Sequence, residues 1–238
     1  MIPVIDSAWE FPEHIPSLPK ETIHLWRLKI VEPEGFPQQW RDVLNPQERT
    51  RADQFRRPGD RERFLQTRAF LRLLLGAQLG VEPQRIPFAA GRNGKPILSP
   101  EHPGQLEFNL SHSGEWGLIA LSASSPVGVD VEIEERDFDP TELAERFLPA
   151  DQQSQLQRLE PRQRKRAFLE YWTALEATVK TTGAGLPAIL GNKISDAGPI
   201  RSFRAPMPAG VVAAVAFQSA NEPRWRLMDH RRLLNLEP

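Results

Sequence analysis

Cysteine is absent from the 238-residue chain, which excludes disulfides, thiolate metal sites and thiol nucleophiles together. Any metal must therefore be bound by oxygen or imidazole ligands. Apolar runs of about 20 residues, the length that spans a membrane, are also lacking. The first twenty residues contain acids and prolines where a signal peptide would have a basic start and an apolar run. We therefore expect a soluble, cytoplasmic protein.

Neither sign of charge is in large excess, since the formal net charge is -1. This near neutrality argues against a protein that binds nucleic acid with its whole surface. The positive charges are nevertheless concentrated in one segment, which contains Arg49, Arg51, Arg56, Arg57, Arg61, Arg63, Arg68 and Arg72. Such a segment is either a solvated helix face or a binding site for an anion.

Hydrophobic periodicity predicts both strands and helices in the first half. Residues 23–30 alternate as in a strand, and Asn45 followed by proline is a typical helix start. A long helix is predicted from Asp60, ended by the glycines at 76 and 80. The loop GRNGKP, a short strand at Ile97 and Leu98, and a hairpin within FNLSHSGEWGLIALSAS follow.

The second half repeats this plan. The segment PRQRKRAFLEYWTALEATVKTTGAG is again a long amphipathic helix closed by glycines, and GVVAAVAFQSA at 210–220 is a loose counterpart of GLIALSAS. We therefore predict an α/β (α+β) fold of two similar lobes. The join falls near residues 122–126, which gives an N-terminal lobe of residues 1–122 and a C-terminal lobe of residues 123–238.

An acidic strand is predicted from Val127 to Glu134. Valine and isoleucine occupy one face, and Asp130, Glu132 and Glu134 occupy the other. Alternate residues on a strand lie about 6.6 Å apart, so the carboxylates of Asp130 and Glu132 can converge on one hard cation. The alternative is a strand with a solvated acidic face.

The second long helix has an apolar stripe of Phe168, Trp172, Leu175 and Val179. Glu176 and Lys180, four residues apart, flank this stripe at the edge between core and solvent, where a cleft would form against another lobe. The alternative is an ordinary ion pair along the helix, which contributes about 0.2–0.5 kcal/mol.

Two other motifs point away from common enzyme classes. The glycine-rich loop at 91–96 lacks the Ser or Thr after Lys95 that a P-loop requires, so a nucleoside triphosphatase is not expected. No G-x-S-x-G elbow surrounds Ser111 or Ser113, and a single histidine in a turn, His112, is usually structural.

Taken in order, three segments resemble the surfactin-type 4′-phosphopantetheinyl transferases: F-N-L-S-H-S-G at 108–114, G-V-D-V-E at 128–132 and W-T-A-L-E-A-T-V-K at 172–180. G-K-P at 94–96 and G-A-G-L at 183–186 are also similar to that family. The resemblance implies two α/β lobes related by pseudo-twofold symmetry, with coenzyme A in the cleft between them and Mg²⁺, or Mn²⁺, on its pyrophosphate. It assigns nucleotide binding to the first lobe and the metal site to the second.

The resemblance also implies roles for single residues. By position in the motifs, Asp130, Glu132 and Glu176 are the metal ligands, and Asp130, Glu176 and Lys180 are the catalytic residues, with Lys180 on the phosphate near the bond that breaks. Coenzyme A is expected to be bound by Arg51, Arg63, Lys95, Ser111 and His112.

Two positions depart from what the family leads us to expect. The family usually has lysine immediately before the helix glutamate, where this chain has Leu175. Because position 175 belongs to the apolar stripe, an aliphatic side chain suits the helix there, and a lysine would have to extend its charge outward. Glu48 stands where a basic residue would have helped to bind the 3′-phosphate of coenzyme A.

The implied reaction transfers 4′-phosphopantetheine from coenzyme A to a serine of an apo acyl, peptidyl or polyketide carrier protein, leaving 3′,5′-ADP. Glu176 is the candidate base. A metal-dependent phosphodiesterase or nuclease is the alternative enzyme, because D-x-E with a later Glu and Lys can also bind a metal and a scissile phosphate. A non-catalytic scaffold that binds carrier proteins is a third hypothesis. We expect a monomer that binds neither nucleic acid nor membrane.

Overall fold

The computed structural model describes residues 2–100, 106–135, 139–185 and 199–234. Within these ranges every helix is too short or too polar to cross a membrane. The elements of the first half are β1 (Trp9–Glu10), β2 (Thr22–Lys29), α1 (Gln38–Arg41), α2 (Pro46–Ala52), α3 (Pro58–Leu79), β3 (Phe88–Ala90), β4 (Pro96–Leu98), β5 (Glu107–Ser113) and β6 (Trp116–Ser122). Those of the second half are β7 (Val127–Ile133), α4 (Pro140–Phe147), α5 (Ala150–Gln157), α6 (Pro161–Thr182), β8 (Ile200–Ala205), β9 (Val211–Gln218) and β10 (Arg224–Asp229).

The two halves share one topology. In the first, β2 precedes the long helix α3 and the hairpin β5–β6, and the antiparallel strand order is β2-β6-β5. In the second, β7 precedes α6 and then β8 and β9, and the antiparallel order is β7-β9-β8. Both long helices have 22 residues. The prediction of two similar α/β lobes is confirmed.

Local chemistry sets the helix ends. Asn45 and Glu48 form a capping box at the start of α2, each side chain bonding to the other's backbone N–H. Helices α3 and α6 both begin with proline and end at a glycine in the left-handed conformation, Gly80 with φ 65° and Gly183 with φ 67°. The prediction that Gly76 helps to end α3 is wrong. Gly76 lies inside the helix, where a Cβ would come within 2.8 Å of the Val81 carbonyl oxygen as the chain folds back.

The core is layered, with α3 on one side and α6 on the other of two stacked sheets. One face of the first sheet packs on α3 through Trp26 and Leu28, among others. Its other face, through Leu25 and Leu118, packs on valines of β7 and β9. The outer face of β9 packs on α6. Strand β2 is therefore buried on both faces, as expected for a central strand between two layers.

Each end of the chain contacts the opposite lobe. Strand β10 pairs in parallel with β2, so a C-terminal strand belongs to the first sheet. Val4 forms a bridge with Arg204 on β8, which places the N-terminal segment beside the second sheet. The division of the chain at residue 122 stays a prediction, and these two segments cross it.

Candidate functional site

The strand β7 and the helix α6 are in backbone contact at Gly128. A Cβ at this position would overlap the carbonyl oxygen of Ala177 and lie 2.6 Å from the backbone nitrogen of Thr181. Only glycine permits this approach. Ala177 and Thr181 directly follow Glu176 and Lys180 on α6, so this contact brings the part of the helix that carries both residues close to β7.

Asp130, Lys180 and Ser111 form one hydrogen-bonded group from three elements. The Lys180 ammonium donates to Asp130 Oδ1 at 2.6 Å and to Ser111 Oγ at 3.2 Å. Ser111 in turn donates to Asp130 Oδ1 at 2.9 Å. The Asp130 side chain is buried while the Lys180 side chain is 30% exposed, so the pair lies at the edge of the cleft. A hydrogen bond between two charged groups is stronger than one between neutral groups. The structure thus brings together three of the residues predicted from sequence.

Strand β5 orients both carboxylates of β7. Asn109, Ser111 and Ser113 project from one face of β5, and all three contact β7. Asn109 accepts a bond from the Val129 N–H at 2.9 Å, and Ser113 donates to Glu132 at 2.8 Å. The sequence interpretation missed Asn109 and Ser113. Their signal was the polar alternation within F-N-L-S-H-S, which places these three side chains on the same face.

The carboxyl of Glu176 lies close enough to Asp130 and Glu132 for their negative charges to affect its pKa. Burial raises the pKa of Glu176, the negative charge of Asp130 raises it further, and Lys180 opposes this shift while Glu132 adds to it. Three carboxylates and one lysine therefore share one electrostatic environment. A carboxyl with a raised pKa is suited to accept a proton.

The donors fit a hard cation in their chemistry. Asp130 Oδ2 is buried and has no hydrogen-bond partner among the described residues, which is costly for a carboxylate oxygen unless a ligand binds it. Carboxylate oxygens are the ligands that Mg²⁺ and Mn²⁺ prefer. In the described ranges, however, no three acidic or imidazole side chains already converge as a metal site. The Lys180 ammonium is the cation beside Asp130.

Glu134 lies outside this group. It follows the end of β7, and its side chain forms an ion pair with Arg166 on α6. The predicted strand alternation is correct, but the acidic face is not uniform. Asp130 is buried in the site, whereas Glu134 is held at the surface by an arginine.

A groove of about 560 Å³ opens beside the site, within the range of small-molecule pockets. Its walls come from the loop at 93–96, from β5 and from the last turns of α6. Glu176, Lys180 and Lys95 line it. The Lys95 ammonium, predicted to bind coenzyme A, donates to the backbone carbonyls of Lys180 at 2.7 Å and Val127 at 3.3 Å.

Arg63 and His112 lie close together at the first lobe. Arg63 donates to the Gly114 carbonyl at 3.2 Å and pairs with Asp60. Although His112 is exposed, the protein around its ring reduces hydration and lowers its pKa, and the charge of Arg63 lowers it further. Strand alternation places His112 on the face of β5 opposite Ser111. Ser111 and His112, both predicted to bind coenzyme A, therefore lie on opposite faces of β5.

Arg51 is exposed on α2. Its guanidinium lies 5.5 Å from the centre of the Phe64 ring, a cation–π contact. Phe64 is the neighbour of Arg63 on α3. The structure thus places Arg51 on the same lobe as Arg63 and His112, with its charge on the surface.

Glu48 has a structural role that the sequence did not indicate. Its carboxylate accepts a bond from the Asn45 N–H at the start of α2 and pairs with Arg72 at 2.7 Å and with Arg68 at 3.4 Å. The Arg72 side chain is fully buried, and both guanidiniums lie 4.9 Å from the Phe88 ring centre. The single negative charge of Glu48 is shared by these two arginines, and a basic residue at position 48 would add a third positive charge beside them.

Leu175 is half-buried and packs against the apolar cluster of α4, α5 and α6. Its neighbours in that cluster include Tyr171 and Trp172. This environment agrees with an aliphatic residue at the position, as the apolar stripe predicted. A lysine would place an ammonium among these side chains unless it extended outward.

Two stacked α/β lobes place three carboxylates, of which Asp130 is buried, and the ammonium of Lys180 beside one groove. The profile of the 4′-phosphopantetheinyl transferase superfamily matches residues 126–204, and that of the 4′-phosphopantetheinyl transferase N-terminal region matches residues 34–124. The 4′-phosphopantetheinyl transferase HetI of Nostoc sp. is 37% identical over 171 residues, 71% of this chain and 72% of that protein. The chain therefore belongs to the 4′-phosphopantetheinyl transferase family.

Shorter matches agree with this result. The 4′-phosphopantetheinyl transferase psf-1 of Bacillus pumilus is 32% identical over 152 residues, 63% of this chain and 62% of that protein. The 4′-phosphopantetheinyl transferase of Bacillus subtilis is 31% identical over 144 residues, 60% of this chain and 62% of that protein. The match to a Synechocystis relative, 39% identical, likewise spans 63% of that protein. The predictions of the family and of a transferase are confirmed, and the nuclease alternative has no support.

Proposed function

We propose that the chain transfers the 4′-phosphopantetheine arm of coenzyme A to a serine of an apo acyl, peptidyl or polyketide carrier protein. One observation carries this proposal. The hydrogen-bonded group of Asp130, Lys180 and Ser111 lies where β5, β7 and α6 meet, beside a groove lined by Glu176. A reaction at a pyrophosphate requires fixed positive charge and a proton acceptor close together; Lys180 would supply the charge and Glu176 the acceptor.

In the proposed reaction the serine oxygen forms a bond to the β-phosphorus of coenzyme A. The bond from that phosphorus to the bridging oxygen breaks, and 3′,5′-ADP leaves with that oxygen. The serine proton passes to a base, for which Glu176 is the candidate because its pKa is raised. Lys180, which Asp130 and Ser111 hold in place, stabilises the charge that develops on the phosphate oxygens.

Asp130, Glu132 and Glu176 would hold Mg²⁺ or Mn²⁺, as the oxygen donors and the unpartnered Asp130 Oδ2 support. When bound, the cation would neutralise negative charge on the pyrophosphate. Within the chain itself, Ser111 and Ser113 fix the orientations of Asp130 and Glu132. These bonds reduce the reorganisation that would otherwise accompany ligand binding.

We assign the nucleotide end of coenzyme A to the first lobe. Arg63 and His112 would bind the 3′-phosphate, since both lie near the β5–β6 turn, and Arg51 would add a surface charge. The pyrophosphate would then extend toward Ser111 and Lys180. Coenzyme A is in this account the substrate, and the carrier protein is the partner. We further propose a cytoplasmic monomer that binds neither nucleic acid nor membrane.

Single substitutions test the site. We expect Asp130→Ala and Glu176→Gln each to lower turnover of an apo carrier by at least about a hundredfold, while the unfolding midpoint stays close to that of the wild type. Glu134→Ala is the matched control, because Glu134 is an acid near the same strand that pairs with Arg166 outside the site. Equal losses in all three variants would contradict the assignment.

A further inference from the structure

Lys95 reaches across the lobe boundary to the end of helix α6. It lies one residue after Gly94, whose φ of 76° turns the chain, and its ammonium donates to the carbonyls of Lys180 and Val127. Both acceptors belong to the second lobe. Asn93 on the same loop donates to the Gly183 carbonyl at 2.9 Å. The loop therefore contacts the second lobe through two polar side chains.

These contacts satisfy backbone carbonyls at the end of helix α6. The last four carbonyls of an α-helix have no intrahelical partner, and Lys180 is within the last four residues of α6. The carboxyl end of a helix also carries partial negative charge, which a cation stabilises. Lys95 supplies both the donor and the charge, and Asn93 supplies a donor to the capping residue Gly183. The two side chains together cap α6 from the other lobe.

Lys180 is therefore held at two points. Asp130 and Ser111 hold its ammonium, and Lys95 holds its backbone carbonyl. Burial lowers the pKa of Lys95, with the negative charge of Glu107 opposing the shift, which agrees with an ammonium enclosed by protein. The side chain lines the groove, and two of the three donors of its ammonium are directed at backbone oxygens.

We infer that Lys95 is a positioning residue that caps α6 and fixes Lys180, and that it is not a cation that binds coenzyme A. The inference rests on the proposed function only in that Lys180 acts on the phosphate. It changes the role expected from the G-K-P motif. In this inference the catalytic lysine, Lys180, is correctly placed only when the two lobes are in contact through Lys95.

Two measurements on Lys95→Met test this inference, since methionine keeps the length of the stem and removes every donor. Hydrogen exchange of the amides at 179–183 should become at least about fivefold faster, because the last turn of α6 loses its cap. The kcat with an apo carrier should fall about tenfold or more, as misplaced catalytic groups do, while the KM for coenzyme A changes less than about twofold. Lys29→Met, at an exposed ion pair with Glu115, is the control and should change neither quantity.

A double-mutant cycle separates the two roles. In the Lys180→Met background, Lys95→Met should lower kcat no further, because it acts through Lys180. Multiplicative losses, or a KM for coenzyme A raised about tenfold in both backgrounds, would mean that Lys95 contacts the substrate directly. If Lys95→Met does not fold, Asn93→Gly replaces it in the exchange measurement and should also speed exchange at 179–183. Unchanged exchange in the variant measured would overturn the cap.

The exchange measurement also keeps this inference separate from the proposed function. A wild-type chain that modifies no carrier would refute the transfer reaction, yet faster exchange at the end of α6 would still establish the cap. Transfer by the wild type with unchanged exchange in Lys95→Met would refute the cap alone.

Discussion

His24 makes the stability of the fold depend on pH. It lies on the central strand β2, is fully buried, and has no hydrogen-bond partner for either ring nitrogen among the described residues. The pKa of His24 is lowered from 6.5 to about 4, mainly by burial and also by the charge of Arg226, while Glu10 opposes the shift. We therefore predict that replacement by leucine removes a distinct part of the acid sensitivity.

The size and sign follow from linkage. In the unfolded chain His24 binds a proton as the pH falls through 6.5, whereas in the folded protein it stays neutral until about pH 4. Stability is therefore complete above pH 6.5 and decreases as the pH falls toward 4. At about 1.4 kcal/mol per pH unit, the loss approaches about 3 kcal/mol across this window.

Urea unfolding of the wild type and His24→Leu over this pH range measures the effect. The other titrating groups, including the buried His230, are common to both proteins and largely cancel in the comparison. The free energy of unfolding of the variant should exceed that of the wild type by a margin that widens as the pH falls. Two parallel curves would refute the account of His24 as a buried neutral histidine.

Three further substitutions test the site and its supports. Gly128→Ala should lower the stability of the fold, and should lower turnover by about tenfold or more, because its Cβ overlaps the Ala177 carbonyl oxygen. Gly35→Ala is the control, since a Cβ there makes only ordinary contacts, and it should change neither quantity. Glu48→Gln should cost about 3–5 kcal/mol in chemical unfolding, since two buried guanidiniums lose their carboxylate, and unchanged stability would contradict this. Arg63→Ala should lower kcat/KM for coenzyme A more than for dephospho-coenzyme A, by a coupling of about 1–3 kcal/mol; equal losses would mean that Arg63 does not bind the 3′-phosphate.

Local pattern was sufficient to predict most of the helices and strands. The alternation in 127–134 predicts β7, and the capping signals at Asn45 and Gly183 mark ends that the structure confirms. The repeated strand, helix and hairpin were visible in the sequence because each element buries an apolar face. Gly76 was misread because a glycine inside a helix and one that ends it look alike in sequence, and only the return of the chain at Val81 distinguishes them.

The contacts between distant segments could not be predicted from pattern. Nothing local to Glu48 indicates that Arg72 on α3 would be buried against it, and nothing near Lys95 indicates that its ammonium would cap α6. The pairing of β10 with β2 likewise depends on a return of the chain across the boundary. The resemblance to the family predicted that Asp130 and Lys180 belong to one site, and the structure adds the ion pair between them. Their catalytic roles stay predictions.

The most direct test of the central claim is intact-mass analysis of apo carrier proteins incubated with the enzyme and coenzyme A. We predict that the acceptor serine of a carrier gains the mass of the phosphopantetheine arm with Mg²⁺ or Mn²⁺ present, and that Asp130→Ala abolishes the gain. Full modification in excess EDTA, or by Asp130→Ala at the wild-type rate, would contradict the claim that the carboxylates of β7 and α6 form a metal-dependent transfer site.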